Sequence, residues 1–106
     1  MTDRLRVLAR GPSLPEFCQR WRITEVSVFG SALRDDFGPD SDVDVLVRFA
    51  DDTMWGLGDL DRIERELAQI VGQRVDLVER EAVEESPNYI RRRAILGSVE
   101  TLYEAR

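Results

Sequence analysis

A chain of 106 residues, 42% hydrophobic and 34% charged, has room for one domain built around one modest core. Its formal net charge of -6 argues against sequence-blind nucleic-acid binding, which needs Lys and Arg to neutralise phosphates. With no histidine and a single cysteine, Cys18, His-based triads, His/Cys zinc sites and an intrachain disulfide framework are excluded, and the lone thiol fits a reducing cytoplasm.

No apolar run is long enough to span a membrane, and the N-terminus lacks a signal-peptide core. In chain order, residues 1–12 carry Arg4, Arg6 and Arg10 and read either as a loose lead-in or as a short strand at Leu5–Leu8. Ser13 to Trp21 reads as a helix, with Ser13 as its cap, Pro15 in its first turn and a stripe of Leu14, Phe17, Cys18 and Trp21. Ile23 to Phe29 is an apolar strand ending at Gly30-Ser31, and Asp35 to Ser41 is loop by its turn residues. A second strand carries Asp42 and Asp44, which alternate with Val43, Val45, Val47 and Phe49.

Trp55 to Val71 is the longest predicted helix. Leu57, Leu60, Ile63, Leu67 and Ile70 recur at steps of three and four, and Gly72 is a C-terminal stop. Arg74 to Glu79 is a third strand holding Asp76. Arg80 to Ser86 reads as a charged, solvated link, Asn88 to Leu96 as a helix entered through Pro87 and ended by Gly97. Val99 to Tyr103 is either a last strand or more helix. Alternating helices and strands predict an α/β fold: a small mixed sheet with helices packed mainly on one face.

The chemistry concentrates between Val26 and Phe49. On a strand Asp42 and Asp44 share one face, roughly 6.6–6.8 Å apart. Two carboxylates so close repel when both are ionised, and a hard divalent cation with oxygen ligands relieves this. Glycine admits a ligand close to the backbone. Ser31 suits the N-cap of a short helix from Ala32, whose amides would face phosphate oxygens. An anion cradle followed ten residues later by paired acids suits a nucleoside triphosphate with its metal. Taken alone, Asp42 and Asp44 would read as a polar strand end, and Ser31 as no more than a cap. Arg34 is as suited to a surface ion pair as to a phosphate. Asp35, Asp36 and Asp40 read as turn and cap residues, Arg91-Arg92-Arg93 as the solvated side of the last helix with a protein-partner surface as the alternative, and Trp21 and Trp55 as core or interface anchors.

The run Phe29-Gly30-Ser31-Ala32-Leu33-Arg34, followed by Ser41-Asp42-Val43-Asp44-Val45-Leu46-Val47, resembles the signature of the DNA polymerase β-like nucleotidyltransferases. Within that superfamily it is similar to the minimal nucleotidyltransferases of prokaryotes, the MNT proteins, which pair with HEPN-domain proteins as toxin–antitoxin couples. The order of elements extends the likeness to nearly all of the chain. The resemblance implies a metal-dependent nucleotidyltransferase domain over residues 1–106. It implies Asp42, Asp44 and Asp76 as catalytic, metal-holding acids for two Mg²⁺ ions, with Mn²⁺ as a substitute. Gly30, Ser31 and Arg34 would bind the phosphates of ATP.

The activity it implies is transfer of AMP to a tyrosine of a cognate HEPN RNase toxin, so the chain would act as an antitoxin in the cytoplasm, without binding nucleic acid or membrane directly. Two other functions stay open: an antitoxin acting by binding alone, and a small-molecule nucleotidyltransferase. The second usually carries a further domain for its acceptor pocket. The bottom-up case for Asp76 is that one aspartate amid Val75, Leu77 and Val78 is costly in a buried strand unless something compensates it; the alternative is an edge-strand surface residue or a partner for a nearby arginine.

Overall fold

The computed structural model describes residues 3–33, 37, 38 and 40–105. The elements follow in the order α1 (Asp3–Arg10), α2 (Ser13–Arg20), β1 (Ile23–Phe29), a 3-10 turn (Gly30–Leu33), β2 (Val43–Phe49), α3 (Leu57–Val71), β3 (Val75–Glu79), α4 (Arg80–Glu84), α5 (Tyr89–Leu96) and β4 (Val99–Glu104). The four strands form one sheet in the order β3-β2-β1-β4. β1 runs antiparallel to both of its neighbours, while β2 and β3 are parallel. A parallel pair needs a long crossover, and α3 supplies it.

Alternation along the strands sorts side chains onto two faces. Val26, Val28, Val43, Val45 and Val47 meet Leu5, Leu14, Phe17, Ile63 and Leu67 of α1, α2 and α3 in the main core. On the other face Leu46 forms a smaller cluster with Val83 of α4 and Ile95 of α5. The expected mixed sheet with helices mainly on one face is what the chain adopts.

Residues 3–10 are neither a loose lead-in nor a strand. They form a helix, because Leu5, Leu8 and Ala9 sit at helical steps and Leu5 inserts fully into the core. Ser13 is the first helical residue rather than the cap; Pro12 occupies the cap position without a side-chain bond. Trp55 lies outside α3, which starts at Leu57 after Gly56, whose N–H donates to Asp59 Oδ2 at 3.1 Å. Leu57 therefore precedes the buried stripe and stands exposed, while Ile63, Leu67 and Val71 carry the packing. Gly72 ends the helix in the left-handed region (φ 79°), as its position after the periodic run predicts.

The charged link is partly a helix, α4. Buried Val83 anchors it, and Arg80 bridges Glu25 (2.7 Å) and Glu84 (3.4 Å). Asn88 caps α5 by accepting from the Arg91 N–H. The last segment is a strand, not a helical extension: Val99 to Glu104 pairs with β1. Trp21 and Trp55 are core anchors in an edge-to-face pair 5.3 Å apart, with Trp21 Nε1 donating to Glu66 and Trp55 Nε1 to the Trp21 carbonyl.

Candidate active site

The acids lie at one end of the sheet because of strand register. β2 pairs with β3 so that Asp44 stands opposite Asp76, and in a parallel ladder opposed residues present their side chains on the same face. The ladder extends one residue further: the Val43 N–H donates to the Arg74 carbonyl at 2.8 Å. β2 begins at Val43, so Asp42 is the residue entering the strand rather than part of it. It borders one cleft of about 380 Å³ together with Asp76, Glu64, Arg65 and Arg74. Asp76 is exposed on an edge strand. The argument that it needs a partner to offset burial therefore does not apply; water reaches it directly.

On the opposite flank of β2, Phe29 is the register partner of Asp44, and the chain then turns at Gly30. Gly30 has φ 62°, and a β carbon built there would fall 2.5 Å from Asp44 Oδ2. Both facts demand glycine. The bend is a single 3-10 turn, Gly30–Leu33; it is the short helix expected here, but it begins at Gly30, so Ser31 lies inside it rather than capping it. The side chain of Ser31, and Arg34, Asp35 and Asp36 entirely, lie outside the described residues.

Gln73 is a site residue that sequence reasoning passed over. Nearly buried, it donates through Nε2 to the carbonyls of Gly38 (3.0 Å) and Ser41 (2.7 Å). It thereby ties the segment leading into Asp42 to the start of β3. The signal was a lone polar residue between a helix-ending glycine and a strand. Arg74 was likewise read only as a strand boundary.

The donor set consists of carboxylate oxygens on one end of the sheet, which is the chemistry a hard divalent cation selects. Among the described residues no three acidic side chains already gather closely enough to hold an ion. Asp42, Asp44 and Asp76 are thus neighbours in the sheet without converging on one point. No helix among the described residues is long and apolar enough to cross a membrane.

The family model described as the nucleotidyltransferase domain matches residues 13–98. No curated protein matches the chain. A solved structure described as a minimal nucleotidyltransferase is 31% identical, aligned over 92% of this chain and 93% of its own, with a TM-score of 0.64. A toxin–antitoxin structure solved with AMP-PNP is similar in fold at 17% identity, covering 89% of this chain and 73% of its own, with a TM-score of 0.64. The MntA-HepT toxin–antitoxin structure is similar at 15% identity, 94% and 73% coverage and a TM-score of 0.60. Strand order, the glycine bend against Asp44 and the family match over residues 13–98 place this chain in the nucleotidyltransferase domain family, among its minimal members, the MNT proteins.

Proposed function

We propose that this chain transfers AMP from ATP to a tyrosine hydroxyl of a HEPN-domain RNase toxin and so acts as its antitoxin. The observation that carries this reading is the register pairing of Asp44 with Asp76, with Gly30 packed against Asp44 from the other side. Support for the nucleotide comes from the similar toxin–antitoxin fold solved with AMP-PNP, and for the partner from the MntA-HepT pair.

In the reaction the acceptor hydroxyl oxygen attacks the α-phosphorus, the bond to the β-phosphate bridge breaks, and pyrophosphate leaves. The protein's task is alignment and charge neutralisation rather than covalent chemistry. Asp42, Asp44 and Asp76 would hold magnesium, which when bound offsets the triphosphate charge and favours deprotonation of the hydroxyl. Asp76, open to water, takes the hydroxyl proton. Backbone amides of the bend at Gly30 and Ser31 seat phosphate oxygens, with the Ser31 hydroxyl and Arg34 as further contacts. Gln73 fixes the chain that presents Asp42.

The test is incubation of the full chain with labelled ATP, magnesium and a candidate HEPN-domain toxin. Label is expected on the toxin and lost with Asp42→Ala or Asp44→Ala. Toxin neutralised without label, under any nucleotide or metal, would replace transfer with inhibition by contact alone.

A further inference from the structure

We propose that this chain is also an acceptor of the nucleotide it transfers: Tyr89 of one copy is adenylylated in the active site of a second copy. This deepens the nucleotidyl-transfer reading and rests on it.

The chain has two tyrosines. Tyr103 on β4 packs against the main core, whereas Tyr89, the first residue of α5, is 58% exposed. Its surroundings hold it in place. Asn88 caps the helix beneath it by accepting the Arg91 N–H at 3.0 Å. The Arg92 guanidinium lies 5.6 Å from the ring centroid and donates to the Ser86 carbonyl at 2.9 Å. The ring is braced on one face by a cation, while much of the side chain stays open to solvent. An acceptor already fixed in position loses little further freedom when it docks. Ile90 beside it is 79% exposed and gives the same surface an apolar contact.

Charge decides where such a surface fits. From Ser86 to Ser98 the chain carries Arg91, Arg92 and Arg93 and no acid. Of the two acids just upstream, Glu84 is paired with Arg48 and Arg80, and Glu85 is left to offset the three. The clefts along β3 have the opposite character. One of about 380 Å³ and one of about 550 Å³ share Asp76 and Glu64, and Asp42, Asp61 and Glu79 complete their carboxylates. These acids outnumber the guanidinia in the lining, and setting aside the Asp61–Arg65 pair at 3.1 Å leaves that excess unchanged. A hydroxyl carried on an arginine-rich surface is therefore drawn towards Asp76, the proton acceptor of the proposed transfer.

The same helix directs the reaction to a second copy. Arg91 borders the larger cleft. Side chains two residues apart on a helix diverge by roughly 200°, so Tyr89 turns away from the cleft its own chain forms. Ile95, buried with Leu46 and Val83, pins the helix in that orientation. In the step itself Tyr89 Oη of the acceptor copy attacks the α-phosphorus of ATP. The bond from that phosphorus to the bridging oxygen breaks, pyrophosphate leaves, and the phenolic proton passes to Asp76 of the donor copy.

The test uses the full chain with labelled ATP and magnesium, and maps the labelled peptide by mass spectrometry. Tyr89→Phe, which keeps the ring beside Arg92, should lose at least about tenfold of the label, while Tyr103→Phe should keep it. An Asp44→Ala copy that retains Tyr89, mixed with a Tyr89→Phe copy that retains the acids, should become labelled at a rate rising with the concentration of each. A tag on one copy tells the two apart. Adding Arg93→Glu, at an exposed position outside both clefts, to the acceptor copy should slow this transfer about threefold or more at low salt. Label undiminished in Tyr89→Phe, or present in the wild type and absent from the mixture, overturns the proposal. So does a labelled HEPN-domain toxin beside an unlabelled chain, a result that leaves the transfer reading standing. Failure of that reading shows separately: ATP with magnesium would leave the wild-type melting temperature unchanged. Tyr89→Phe should keep that melting shift, which guards against a folding defect.

Discussion

Gly30, in the turn just past β1, lies directly against Asp44 of β2: a β carbon on Gly30 would sit 2.5 Å from Asp44 Oδ2. The glycine is held at φ 62°, where any other residue costs roughly 1–2 kcal/mol. Gly30→Ala therefore has two consequences, a strained bend and a displaced carboxylate. Melting should fall by that order, and the proposed AMP transfer should drop about a hundredfold, the scale of a misplacement near 1 Å. A variant that melts lower but transfers at the wild-type rate would show that Asp44 has no fixed place in the chemistry.

Asp44 and Asp76 are register partners across the β2–β3 ladder, and Asp42 borders the same cleft as Asp76. Mg²⁺ or Mn²⁺ should raise the melting temperature by binding the folded chain alone. Asp42→Asn and Asp44→Asn should shrink that response. Since Asp76 is exposed, Asp76→Asn should alter metal-free stability by no more than about 0.5 kcal/mol while abolishing transfer. A melt indifferent to both metals would count against the acids as a binding set.

Gln73 positions Asp42 from a distance. Its Nε2 donates to the Gly38 and Ser41 carbonyls. Gln73→Leu keeps the volume and removes both bonds, at a cost of roughly 1–3 kcal/mol. Gln73→Glu should be worse, because a carboxylate would face two carbonyl oxygens. Both variants should weaken the metal-induced melting shift. A structural role alone would lower the melt and leave that shift intact, so the two readouts separate the cases.

Much of this was legible along the chain, and what was not has physical causes. The strand Ile23–Phe29 and the stop at Gly72 have local signals: an apolar run and a helix-ending glycine. The pairing of Asp44 with Asp76 does not, because register joins residues far apart in sequence; only the family resemblance pointed to it. α4 was hidden because a single apolar residue, Val83, anchors four charged and small ones. Leu57 matched the helical period yet lies on the first turn, beyond the reach of the core. α1 was read as a loose lead-in or a short strand, because its helical face declares itself only through Leu5 packing into the core. The candidate acidic pair was read from spacing, whereas the contacts of Gln73 and the Arg74 carbonyl are made with folded neighbours that spacing does not reveal.

Cys18 gives the fold an alkaline limit. It is fully buried in the main core, and burial pushes its thiol from 9.0 up to about 12. The folded value lies above the unfolded one, so folding favours the neutral thiol. The stability this contributes is complete below about pH 9 and is lost as pH rises from there through about 12. Tyr103 is raised in the same direction, by burial first and then by the charge of Cys18. The melting temperature should therefore decline above pH 9. Cys18→Ala should melt lower at neutral pH, from the lost packing, yet decline less steeply between pH 9 and 11. Combining it with Tyr103→Phe should flatten the curve further. Thiol reagents at pH 8 should modify the native protein far more slowly than the unfolded chain. An alkaline slope identical in wild type and Cys18→Ala would assign the loss to groups other than the buried thiol.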